Sequence, residues 1–210
     1  MVETLTGTNR SKGITYSELL DMDTHNVPTK LREDAPLEPG PTIVNPSIYY
    51  SRDFFDLEVE RLWKRVWQLA CHEDDIPNVG DTLVYDIASL SYIIVRTGKD
   101  EIKAFPNACL HRGRALATED ESGLHEFRCP FHGWAWKLDG TLKEVPCQWD
   151  FPSVSAKTHS LPSVQVGRWG GFVFINPDDK AGPLKEFLGD MNRHFEPIPF
   201  ERRCKSAHVA

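Results

Sequence analysis

No stretch of the sequence approaches the uninterrupted apolar length that crosses a bilayer. The start, Met1-Val2-Glu3-Thr4, lacks the cationic lead and apolar core of a secretory signal. Cationic runs are also missing. With 24 Lys and Arg against 31 Asp and Glu, the net charge is −7 and the pI near 5.6, so nothing suggests a phosphate-binding face for nucleic acid or an anionic membrane. Cysteine is scarce and odd in number, five in 210 residues. That does not suit a disulfide framework, and Cys71, Cys147 and Cys204 read as reduced thiols. These absences predict a cytoplasmic protein with neither nucleic acid nor membrane as its main partner. At 40% hydrophobic residues, the chain can bury one good core and a second small one, which predicts one domain with extensions.

What is present is concentrated between residues 109 and 136: Cys109-Leu110-His111-Arg112-Gly113, then Cys129-Pro130-Phe131-His132-Gly133-Trp134-Ala135-Trp136. Each half offers one thiolate and one imidazole. A common zinc finger pairs its cysteines in one half and its histidines in the other, because all four ligands converge on one tetrahedral ion. Mixed halves suit instead a two-iron cluster in which one iron takes two Cys and the other two His, since facing loops then give one ligand to each iron. The seventeen residues between His111 and Cys129 are enough for a hairpin that returns the second loop over the first. Gly113 and Gly133 free the backbone to wrap closely and to aim N–H groups at sulfur. The alternatives are a structural zinc site or four unrelated residues.

The pattern CxH then CxxH resembles the Rieske [2Fe–2S] motif. The Arg112-Gly113 pair and the run Gly133-Trp134-Ala135-Trp136 resemble, more narrowly, the large α subunit of Rieske non-haem iron oxygenases, the ring-hydroxylating dioxygenases and their monooxygenase relatives. The resemblance runs from about Pro46 to about Pro199. It implies one [2Fe–2S] cluster per chain, with Cys109 and Cys129 on a buried ferric iron and His111 and His132 on an outer iron that changes valence. Arg112, Gly113, Gly133, Trp134 and Trp136 would form the shell that excludes water and braces the loops, although plain core packing explains Trp136 nearly as well. The implied partners are a reductase or ferredoxin donor and a catalytic domain of the same or a neighbouring subunit, in a trimer when full length.

The predicted fold is mainly β, a Rieske-type antiparallel domain with an N-terminal arm and helix and a C-terminal linker helix. Residues 1–45, polar and punctuated by prolines, read as an extended or mobile arm, with His25 solvated. Residues 46–178 form the Rieske domain with its preceding helix. There Phe55, Val59, Leu62, Trp63, Val66 and Trp67 recur at helical spacing behind the cap Ser51, a stripe read as core packing. Strands are predicted at 67–71, 82–86, 92–96, 102–105, 125–128, 134–138, 164–167 and 172–175, with a hairpin turn at Asp139-Gly140. The acidic spacer from Ala115 to Leu124 reads as a solvated excursion. Residues 179–210 hold a linker helix over 184–195 and the start of a further domain.

In the family that domain binds a mononuclear Fe(II) through an acidic residue, two spacers, His, four spacers, His. The residues three positions before the eight histidines are Met22, Leu69, Ala108, Ser122, Cys129, Ala156, Met191 and Lys205, none acidic, and no two histidines stand five apart. The facial triad is thus not within these residues, and the 210-residue chain alone is expected not to hydroxylate. Two functions remain: the electron-transfer portion of an oxygenase large subunit, or a self-contained Rieske carrier serving a separate enzyme. Respiratory Rieske proteins resemble CTHxGC and CPCHGS, with bridging cysteines and a serine that donates to a cluster sulfur. Ala115 or its neighbours, Phe131 and Trp134 hold those places here, so the expected potential is at the low end of the Rieske range, about −150 mV, and nearly flat between roughly pH 6 and 8.

Overall fold

The computed structural model describes residues 14, 16–24, 26–32, 45–195 and 197–203. The chain divides into two compact units, Met1–Pro46 and Ser47–Ala210. In the first, α1 (Tyr16–Asp21) is a short helix, and Asp21 pairs with Arg32 at 2.7 Å. His25 and most of the proline-rich stretch lie outside the described residues.

The second unit opens with α2 (Arg52–Glu58), capped as its sequence predicts: the Ser51 hydroxyl accepts the Phe54 N–H at 3.2 Å. The helix then widens into a π-type turn over Val59–Trp63. Of the predicted apolar stripe, Val59 and Trp67 are buried while Leu62 stays exposed. The predicted stripe is therefore only partly core.

Nine strands follow among the described residues: β1 (Gln68–His72), β2 (Thr82–Ile87), β3 (Leu90–Gly98), β4 (Glu101–Pro106), β5 (Glu126–Arg128), β6 (Ala135–Lys137), β7 (Leu142–Glu144), β8 (Gln165–Trp169) and β9 (Phe172–Asn176). They form three antiparallel sheets in the orders β1-β9-β8, β2-β3-β4 and β5-β6-β7. Strand β3 explains its unbroken apolar run, because both of its faces are covered. Ile93 and Val95 point into one core with Phe105, Phe127 and Trp136. Tyr92 and Ile94 point into a second with Ile76, Val173 and Ile175. The first of these cores also holds Cys109, Cys129 and Trp134, so it forms the floor of the motif loops.

The turn at Asp139-Gly140 joins β6 to β7, a strand too short to show a period of its own. Gly140 has φ +85°, and a Cβ there would lie 2.5 Å from the Phe105 ring, so close packing as well as the turn requires glycine. The spacer 115–124 is solvated over its acidic middle, where residues 118–123 are exposed, but its ends are tied to the domain. Leu116 and Ala117 are buried. Thr82 and Glu121 exchange backbone hydrogen bonds at 2.7 and 3.3 Å, Leu124 N–H donates to Gly80 at 2.9 Å, and Asp120 accepts the Val84 N–H at 2.8 Å. The spacer thus pairs with the free edge of β2, and a carboxylate satisfies an edge amide. The predicted helix over 184–195 is also corrected. It breaks at Gly189, φ +51°, into α4 (Leu184–Leu188) and α5 (Met191–His194), numbered after α3 (Ala156–His159). Leu184 and Leu188 pack on Trp67 and Phe174.

Candidate metal centre

The two motif loops are twins in backbone. In the first, Cys109 N–H donates to the Arg114 carbonyl at 2.8 Å and Gly113 N–H to the Cys109 carbonyl at 2.8 Å. In the second, Cys129 N–H donates to Trp134 at 2.8 Å and Gly133 N–H to Cys129 at 3.0 Å. Both glycines have φ +74°, a conformation other residues enter only at a cost. This register places Arg114, rather than Ala115, opposite Trp134.

The loops bring together all four predicted donors, and bring them together as pairs. Cys109 and Cys129 are buried, 3% and 2% exposed, with their side chains in hydrogen-bond reach of each other. Burial raises the pKa of the Cys109 thiol and the Cys129 thiol adds to this, while the N–H groups of His111 and Arg112 pull it down. Those amides are placed to receive negative charge on sulfur. The His111 and His132 rings meet edge-on, their centres 4.7 Å apart. Burial, and then the charges of His132 and Arg112, hold His111 below its usual pKa, which favours the neutral imidazole that ligates metal. The Nδ1 atom of His111 is buried without a hydrogen-bond partner, a costly state that a metal bond would relieve. Among the described residues no three His, Cys, Asp or Glu side chains converge on a single ion. Two thiols on one side and two imidazoles on the other fit one iron each. The donor set therefore fits a [2Fe–2S] cluster.

The surrounding shell is mostly aromatic. Trp134, 2% exposed, stacks on His111 at 4.9 Å with the planes within 4°. Phe151 meets both rings edge-on, at 5.5 Å from His111 and 5.3 Å from Trp134. Trp136, fully buried, donates from its indole to the His159 carbonyl at 2.8 Å. Arg112 does not fill the predicted shell role with its side chain, which lies exposed; only its backbone N–H addresses Cys109. Gly133 lies under Pro146, where a Cβ would approach to 3.3 Å, whereas Gly113 has open space around it. His132 is exposed and packs against Phe131 at 3.9 Å, and Phe131 is itself 61% exposed.

Three residues that position the site have no signal in the motif. Asn107 is buried two residues before Cys109. It accepts the N–H groups of Leu116 and Ala117 at 2.8 and 3.0 Å and donates to the Ala117 carbonyl at 2.8 Å and the Ser91 hydroxyl at 3.0 Å. This ties the entry of the first loop to its exit. Phe151 comes from a segment beyond both loops. Arg128 donates to the Gly133 carbonyl at 2.9 Å. A polar residue one or two positions before a motif cysteine is the sequence signal that Asn107 and Arg128 offer.

Paired thiols facing paired imidazoles on twin loops define a Rieske-type centre, and the family model "Rieske [2Fe-2S] domain" matches residues 66–160. Among curated proteins, the chain is 36% identical over 140 residues to the large subunit of anthranilate 1,2-dioxygenase of Acinetobacter baylyi, covering 66% of this chain and 30% of that one. It is 32% identical over 148 residues to the α subunit of benzene 1,2-dioxygenase of Pseudomonas putida, covering 70% and 33%. Among solved structures, naphthalene 1,2-dioxygenase bound to phenanthrene superposes with a TM-score of 0.66 at 31% identity, over 72% of this chain and 34% of that one. A quaternary ammonium Rieske monooxygenase gives 0.66 at 28%, over 72% and 44%. The chain carries a Rieske domain and corresponds to the N-terminal, Rieske-bearing portion of the ring-hydroxylating dioxygenase α subunits that it matches. It spans about a third of the length of these curated relatives. No helix among its described residues is long and apolar enough to cross a membrane.

Proposed function

We propose that Cys109 and Cys129 hold one iron, and His111 and His132 the other, of a single [2Fe–2S] cluster. The chain would be the electron-entry module of an aromatic-ring-hydroxylating oxygenase acting in the cytoplasm. The observation that carries this is the buried thiol pair and the adjoining imidazole pair on two loops of equal backbone geometry. Bound there, the cluster supplies one-electron storage. Cys109 and Cys129 place thiolate charge against backbone amides in the core, and the neutral imidazoles put less negative charge on their iron, which favours reduction at that side. Trp134 and Phe151 keep water from His111. The exposed ring of His132 is where a partner reaches closest to the centre.

The electron donor is a reductase or ferredoxin, and the acceptor a mononuclear non-haem iron in a catalytic domain of the same or a neighbouring subunit of a homo-oligomer, a trimer. An aromatic substrate follows from the relatives that act on anthranilate and benzene. The purified chain is expected to contain iron and acid-labile sulfide in equal amounts and, once reduced, to show a rhombic spin signal with an average g below that of plant-type ferredoxins. One zinc per chain without sulfide would overturn the assignment.

A further inference from the structure

The structure assigns to Arg128 a positioning role: its guanidinium clamps the second ligand loop from outside and thereby holds His132. This rests on the cluster assignment above and goes beyond it. Arg128 ends β5 immediately before Cys129. Its Nη1 donates to the Gly133 carbonyl at 2.9 Å, its Nε to Glu126 at 2.7 Å and its Nη2 to Glu144 at 2.7 Å. Glu126 in turn binds Lys143. The two glutamates come from β5 and β7, the outer strands of the small sheet on which the loop stands. Three of the five donors on one planar fork are thus fixed in three directions, a geometry that an ammonium cannot reproduce.

The twin first loop shows what is special here. It has the same two internal hydrogen bonds but Ala108 in the place of Arg128, and it is tied instead by Asn107 at its exit. Gly133, whose carbonyl Arg128 grips, directly follows His132. The peptide it orients also leads into Trp134, whose carbonyl accepts the Cys129 N–H. Loosening the clamp therefore loosens one cysteine and one histidine of the second loop and neither donor of the first. The charges nearly cancel, with Arg128 and Lys143 against Glu126 and Glu144, so the role is geometric rather than a field acting on the centre.

The twin loops supply their own control. Amide hydrogen exchange is measured on the chain as purified, for wild type, Arg128→Ala, Arg128→Lys and Glu144→Gln. Expected is faster exchange at Cys129 and Gly133 in Arg128→Ala and Arg128→Lys, a smaller increase in Glu144→Gln, and no change at Cys109 and Gly113. In iron-loaded protein, the nitrogen couplings of one histidine should change while those of the other persist, and loss of iron to a chelator should be about tenfold faster. Lower thermal stability with exchange at Cys129 and Gly133 unaltered, or a rise equal in both loops, would overturn the proposal. Glu144→Gln decides the question should Arg128→Ala fail to fold. A chain that takes up no iron, yet loses protection only in the second loop, would refute the cluster assignment and leave the clamp standing.

Discussion

Replacing Asn107 by Ala removes a side chain that satisfies three buried backbone groups: the N–H of Leu116, the N–H of Ala117 and the carbonyl of Ala117. Each group left without a partner costs about 1–3 kcal/mol. Water entering the space vacated by the amide relieves part of this, so the expected loss is about 3–5 kcal/mol, against a total stability of about 5–15 kcal/mol for a natural domain. For a domain of this size, 3 kcal/mol corresponds to a fall of about 6–12 °C in Tm. Ser91→Ala is the control, since it removes only the hydroxyl at 3.0 Å from Asn107 and should cost about 0.5–1.5 kcal/mol. The assay is urea denaturation of both variants, with iron content measured beside it, because residues 116 and 117 set where the first loop ends. A loss below about 1 kcal/mol in Asn107→Ala would refute the view that this amide fastens the loop.

The two loop glycines should differ despite their equal φ. Gly113→Ala meets only backbone strain of about 1–2 kcal/mol, whereas Gly133→Ala also presses on Pro146 at 3.3 Å, so equal losses in urea would contradict the packing. Burial would raise the pKa of Glu73, but the hydrogen bonds and charges of Arg168 and Arg96 outweigh it and hold the carboxyl below its ordinary value of 4.5. The stability this contributes is present above pH 4.5 and lost as the pH falls through the lower folded value, so wild type should lose more stability than Glu73→Gln between pH 7 and 3. Peptide mapping after alkylation at pH 8 should find exposed Cys147 modified and Cys71 untouched, because burial, and then Asp75, push the Cys71 thiol up to about 12. Film voltammetry should place the midpoint potential at about −150 mV, since Trp134 stands where a donating serine would; a midpoint well above about 0 mV would refute the oxygenase-type centre.

The fold was legible wherever one local rule acted alone. Ser51 announced its helix, alternation and turns announced most of the strands, and Asp139-Gly140 announced its hairpin. The misreadings occurred where partners distant in sequence decide the outcome. The acidic middle of the spacer 115–124 is exposed, as its composition suggests, yet Asp120 and the backbone of Glu121 also serve the edge of a strand nearly forty residues earlier. The apolar spacing over 184–195 fits one helix, but Gly189 at φ +51° ends it after Leu188 has packed on Trp67 and Phe174. The three-residue strands β5, β6 and β7 exist through pairing rather than periodicity, so only two of them were expected and β7 was missed.

The four candidate donors could be named from their spacing, but the inequivalence of the two histidines could not. His111 is the third residue of its loop and His132 the fourth of an otherwise identical one, so the same backbone ring projects the two imidazoles in different directions. His111 enters beneath Trp134, a residue of the opposite loop, and is closed in by Phe151, forty residues further along the chain. His132 leans on Phe131 and stays open to solvent. Neither cover follows from a CxH or CxxH pattern. The one-residue offset in the motif thus has a physical consequence: one histidine is half-buried beneath a tryptophan, and the other stays open to solvent.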